Sequence, residues 1–108
     1  MVKHVPLEEY WVAIDLLPNY VVSNYGRVVN VRTQRELKAC PNGKGYPTVK
    51  LYHNGVPHQV YVHRLVAKAF FVDYAAGVEV KHINHNLKDN GVLNLSIRPR
   101  SSVLVVVD

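Results

Sequence analysis

Cysteine is nearly absent: Cys40 is the only one in 108 residues. An intrachain disulfide and a cysteine-rich zinc site are therefore excluded, and Cys40 reads as a small buried thiol. Long apolar runs are missing too, because charged or polar residues interrupt them. No stretch is long enough to span a bilayer and nothing resembles a signal peptide, so no membrane partner is expected and a cytoplasmic location is. Repeats, linkers and low-complexity tracts are also lacking. The length suits a single compact domain, residues 1–108, with a modest core.

Acid is what the centre of the chain lacks. Residues 25–70 hold Arg27, Arg32, Arg35, Lys38, Lys44, Lys50, Arg64 and Lys68 against Glu36 alone, within a net charge of +5. The first 24 residues instead carry Lys3 against Glu8, Glu9 and Asp15. A basic surface releases condensed counterions when it meets phosphate, which gives salt-sensitive and largely sequence-independent affinity. The central segment is thus expected to face a polyanion, with a merely soluble basic surface as the alternative.

Hydrophobic periodicity supplies the elements. Tyr20-Val21-Val22, residues 27–31, residues 36–38, residues 48–52 and residues 59–62 read as short strands. Val49 and Leu51 alternate with Thr48, Lys50 and Tyr52, and Val60 and Val62 with Gln59 and Tyr61, the period of a half-buried hairpin. His53-Asn54-Gly55-Val56 provides its turn, since Asn-Gly accepts positive φ at both central positions, and Pro57 is expected at the start of the following strand. Val62, Leu65, Val66, Ala69 and Phe70 recur at helical spacing, which predicts an amphipathic helix over residues 62–71 with Arg64 and Lys68 on its other face. Ser23-Asn24-Tyr25-Gly26-Arg27 reads as a tight turn that presents Arg27 outward. Trp11 and the tyrosines are expected to complete a small core, with Tyr25, Tyr46 and Tyr52 as the candidates for packing on sugars or bases.

The most specific stretch lies further on. Val80-Lys81-His82 enters from a strand, residues 83–94 are dominated by loop formers, and Leu95-Ser96-Ile97 resumes a strand pattern. A histidine at a strand end, a long amide-rich loop and an Asn94-Leu95 closure resemble the HNH (ββα-metal) homing endonucleases of phages and introns. Trp11, Ile14, residues 20–28, Leu37-Lys38, Gly45-Tyr46 and residues 62–70 are similar to the module that precedes the catalytic loop in that family. The resemblance runs from about residue 9 to residue 97.

That resemblance implies an α+β fold: a small antiparallel sheet, one amphipathic helix, and a degenerate ββα-metal hairpin. It divides the chain into a DNA-binding-like module at about 9–61, a helix and HNH-like loop at about 62–97, and an atypical tail at 98–108. It further implies an endonuclease or nickase on double-stranded DNA, in the host cytoplasm if phage-encoded. His82 would be the general base and Asn94 the residue that ties the loop and holds His82 in register, with a backbone carbonyl on the other ring nitrogen fixing the tautomer. Arg27, Arg32, Arg35, Lys38, Lys50, Arg64, Lys68 and Lys81 would meet phosphates, His63 would support the site, and Mg²⁺ or Mn²⁺ would stabilise the reacting phosphate.

Two departures leave the metal ligands unassigned. Lys81 stands where many relatives carry Asp, Asn or His before the catalytic histidine, and a charged lysine is no ordinary ligand. After Ile97 the sequence lacks the helix that carries the family's last ligand, leaving His85, Asp89 and Asp108 as remaining donors near the loop. Val103–Val107 instead prefers a strand and must pair with a sheet edge, enter the core or meet a partner. Two other functions therefore stand beside nuclease activity: a remnant that binds DNA without cutting it, and a protein that captures a host protein through its tail or sheet edge.

Overall fold

The computed structural model describes residues 8–75 and 77–98. Four strands, β1 (Trp11–Ile14), β2 (Leu17–Ser23), β3 (Val28–Asn30) and β4 (Arg35–Glu36), form an antiparallel meander in the order β1-β2-β3-β4. A second sheet, in the order β5-β6-β7, joins β5 (Cys40–Pro41), β6 (Pro47–His53) and β7 (Val56–Tyr61). After helix α1 (Val62–Phe70) come β8 (Glu79–His82) and β9 (Leu95–Arg98), which among the described residues pair with each other. The α+β class holds; among the described residues the small sheet expected before the helix is two sheets, and the separate hairpin expected after it is the β8–β9 pair. The apolar tail Val103–Val107 lies outside the described residues.

The β6–β7 hairpin follows from its sequence. Asn54 and Gly55 take φ values of 52° and 79°, the left-handed pair that a two-residue turn requires and that matches strand twist. Register then pairs Val49 with Val60, Leu51 with His58 and Tyr52 with Pro57. Pro57 sits one residue inside β7, on the sheet's outer strand, where its missing N–H is tolerated. Val49 and Leu51 are buried and Lys50 and Tyr52 exposed, as period-2 alternation demands.

Helix α1 starts directly from β7 and ends where Phe71 turns extended, its N–H still bonded to Ala67 O at 2.9 Å. The buried stripe is Val62, His63, Val66 and Ala67, with Leu65, Ala69 and Phe70 only partly covered. It is shifted around the helix from the Val62-Leu65-Val66 face that spacing alone suggests, because α1 is packed by strands of all three sheets. Tyr20, Val22, Val28, Val49, Leu51, Val62, Val66 and Leu95 make one core. Each fully buried Val or Leu there contributes roughly 1.5–3 kcal/mol. Tyr20 also ties two sheets, its hydroxyl accepting from Tyr52 N–H at 3.0 Å.

Cys40 departs from expectation: it is exposed, because β5 is a two-residue edge strand whose side chains do not reach the core. Trp11 is also more exposed than a core residue, with the Arg27 guanidinium 5.3 Å from its ring centroid. Among the described residues no helix is long and apolar enough to cross a membrane.

Candidate active site

His82 is the last residue of β8 and pairs with Leu95, the first of β9, so the two strands splay into the 83–94 loop directly beside the imidazole. Alternation along β8 places Val80 and His82 inward and Glu79 and Lys81 outward. The histidine is 7% exposed and the lysine before it faces solvent.

Amides build the loop. Ile83 N–H donates to Asn94 O at 2.7 Å, continuing the ladder one step past His82. The Asn94 side chain then accepts from Asn84 N–H at 3.1 Å and donates to Asn84 Oδ1 at 2.8 Å and to Asp89 O at 2.9 Å. One side chain thereby stitches both ends of the loop. Asn84 and Asn86 each cap their own turn, accepting from Asn86 N–H and Lys88 N–H at 2.8 and 3.0 Å, the local bonding that Asn offers in place of regular structure. His85 takes a φ of 65° within this turn.

The partner of His82 is Asn90, whose Oδ1 lies 2.6 Å from Nε2. An amide oxygen only accepts, so Nε2 carries the proton and Nδ1 keeps its lone pair. The group that orients the ring is thus a side-chain amide, not the backbone carbonyl that the family resemblance implies. Asn90 is 6% exposed. In the sequence Asn90 is one of several loop asparagines, and its place before Gly91 does not distinguish a buried partner from a turn former.

A second imidazole abuts the first. His63, from the first turn of α1, has its ring centroid 5.1 Å from that of His82 in edge-on geometry, with Tyr46 and Tyr61 at 5.3 and 5.2 Å. Its Nδ1 is buried and has no hydrogen-bond partner among the described residues. Burial, then the neighbouring His82, then Arg64 lower its pKa to about 4, which keeps His63 neutral near pH 7.

The basic residues divide into two groups. Arg27 lies 2.7 Å from Glu9 and 3.2 Å from Glu36, Lys68 lies 3.7 Å from Asp15, and half-buried Arg64 donates to Tyr74 Oη at 3.1 Å and Val78 O at 3.2 Å. These three already have protein partners, so their net attraction for phosphate is reduced. Arg32, Arg35, Lys38, Lys50 and Lys81 are exposed and make no ion pair with another described residue.

Donors for a hard cation are not assembled. Among the described residues no group of three or more His, Cys, Asp or Glu is placed to hold a metal ion. Lys81 is a cation and no ordinary ligand, His85 is exposed, and Asp89 Oδ2 accepts from Asn84 Nδ2 at 3.3 Å. Such an ion is usually held by one or two carboxylates, substrate phosphate and several waters, and Asp89 is the one carboxylate of the 83–94 loop. Asp108 lies outside the described residues.

Known proteins are similar to this chain in sequence and fold. The NUMOD4 motif matches residues 9–52. The chain is 34% identical over 77 residues to an uncharacterised HNH endonuclease of Acanthamoeba polyphaga mimivirus, 71% of this chain and 23% of that protein. It is 31% identical over 91 residues to the H-N-H endonuclease F-TflII of Escherichia phage T5, 82% of this chain and 45% of that one. It is also 35% identical over 77 residues to the DNA endonuclease I-HmuI of Bacillus phage SP01, covering 71% and 44%. The solved structure of HNH homing endonuclease I-HmuI superposes with a TM-score of 0.79 at 32% identity, over 84% of this chain and 53% of that one. The chain thus spans from a quarter to about half of the relatives it matches. By sequence and fold the chain belongs to the HNH endonuclease family.

Proposed function

We propose that this chain is an HNH-type DNA endonuclease or nickase module in which His82 takes the proton from an attacking water. One observation carries this reading: Asn90 Oδ1 lies 2.6 Å from His82 Nε2, a contact that favours the proton on Nε2 and leaves Nδ1 as the base of the neutral ring. Imidazole is the side chain most often used to take a proton from water near neutrality. Arg32, Arg35, Lys38, Lys50 and Lys81 supply the sequence-independent grip on double-stranded DNA. The family's Mg²⁺ or Mn²⁺ would neutralise charge on the phosphate, but the described donors form no cage for it. What the chain's own residues do is bind backbone phosphate and accept a proton at Nδ1.

A second reading, DNA binding without cleavage, is favoured by Lys81, a cation where many relatives carry a possible metal ligand. Plasmid nicking with Mg²⁺ and with Mn²⁺ separates the two. Nicking is expected, with His82→Ala lowering it about 10²- to 10⁴-fold; residual activity near wild type removes His82 as the base. Lys81→Asp restores an oxygen donor beside the loop and is expected to tighten Mn²⁺ binding and keep or raise nicking. Salt-dependent duplex binding with no nicking by either protein selects the binding-only reading, and absence of both selects capture of a host protein.

A further inference from the structure

We propose that the Ser23–Gly26 turn of the first sheet is a positioning device for the His82 ring, acting through Asn90; the catalytic part of this inference rests on His82 being the base. The turn is unusually well fixed. Ser23 is fully buried, and its Oγ accepts from Tyr25 N–H at 3.1 Å and Arg27 N–H at 3.2 Å, while Gly26 N–H donates to Ser23 O at 2.9 Å. Asn24 is buried as well, with Oδ1 accepting from Tyr10 N–H at 2.7 Å and Nδ2 donating to Glu8 O at 2.8 Å.

This fixed turn touches the far loop at two places. Asn24 O accepts from Val92 N–H at 2.8 Å. Gly26, at a φ of +88°, lies so close to Asn90 that an added Cβ would stand 3.0 Å from Asn90 O, 3.1 Å from its carbonyl carbon and 3.2 Å from its Cβ. The glycine is therefore required twice, by its left-handed backbone and by the closeness of Asn90. With its backbone pressed on the turn and Val92 bonded to Asn24, Asn90 has little freedom, and its amide holds His82 Nε2 at 2.6 Å. A shift of a few tenths of an ångström at Asn90 weakens that bond. The ring is then free to carry its proton on Nδ1 instead, a form that cannot accept one there. Asn90 and Gly26 act on His82 and are positioning residues.

The test reads the proton directly. Long-range ¹H–¹⁵N spectra of the full chain above pH 7 should show His82 as the Nε2–H tautomer. Asn90→Leu, which keeps the bulk and removes the amide, should give a mixture with the Nδ1–H form. Gly26→Ala should move the ring in the same direction, and Gly26→Asn offers the same Cβ on a residue that tolerates positive φ better, in case the alanine variant does not fold. Gly55→Ala is the control: its φ is +79° but nothing lies within 4 Å of the added Cβ, so it carries the backbone cost and should leave the tautomer unchanged. Nicking by folded Gly26→Asn should fall about ten- to a hundredfold in kcat with KM little changed. A wild-type ring protonated on Nδ1 overturns the inference, as does an unchanged tautomer in folded Asn90→Leu and Gly26→Asn. Wild-type nicking with no tautomer response removes the clamp and leaves the base assignment standing. A tautomer response without nicking supports the clamp and removes the nuclease reading.

Discussion

The first sheet and the 83–94 loop are held by different forces. β2 and β3 place Tyr20, Val22 and Val28 in the common core, each at most 6% exposed. Between Ile83 and Asn94 only Asn90 is buried, and cohesion comes from the amides of Asn84, Asn86, Asn90 and Asn94. Packing depends on volume and tolerates apolar exchange at modest cost. An amide network depends on individual atoms, because a donor left without its acceptor keeps its desolvation cost. A family can therefore vary the sheet's side chains widely while its loop asparagines have few substitutes.

The strongest challenge to this contrast is Leu51→Ala. Leu51 is 1% exposed in the core that α1 shares with all three sheets, so the substitution should cost about 2–5 kcal/mol and lower loop and sheet stability together. Denaturant unfolding followed separately in each region checks this. Loss confined to the second sheet would mean that the loop is stable without the core.

Asn94→Ala should act in the opposite manner. It removes an acceptor and two donor contacts but little apolar area, for about 1–3 kcal/mol. Faster hydrogen exchange at the Ile83 and Asn84 amides with sheet protection retained is the expected signature. Global unfolding at the same denaturant concentration in both regions would show that the loop is no separate unit.

The smallest effect belongs to His63, which joins the regions. Its pKa falls from 6.5 to about 4 on folding, so between those values the unfolded chain binds more protons. Stability is unaffected above about pH 6.5 and declines as pH falls toward 4. The gap bounds the loss at roughly 3 kcal/mol, reduced to on the order of 1–2 kcal/mol by solvent screening. His63→Phe should flatten that limb of the stability–pH curve; an unchanged limb would assign the acid sensitivity to other groups.

Residue pattern foretold the elements better than their partners. The Asn54-Gly55 turn, the alternation in β6 and the spacing in α1 are local properties, and each placed its element within a few residues. Cys40 was misjudged because a short edge strand leaves even a small thiol in solvent. Arg27 and Lys68 read as free charge since their carboxylates, on Glu9, Glu36 and Asp15, are distant in sequence. Asn90 was overlooked for the same kind of reason: its role exists only once the first sheet, the loop and His82 have met.

That meeting has an order in time. The bond from Val92 N–H to Asn24 O closes a loop containing roughly three-quarters of the described chain, and contacts so remote in sequence form slowly. Asn24 leaves the ribosome long before Val92. The first sheet, with its share of the basic surface, is able to settle while the segment bearing His82 and Asn90 is still being made. A nascent chain thus acquires part of its attraction for polyanions before its histidine is oriented, so the grip precedes any cutting edge.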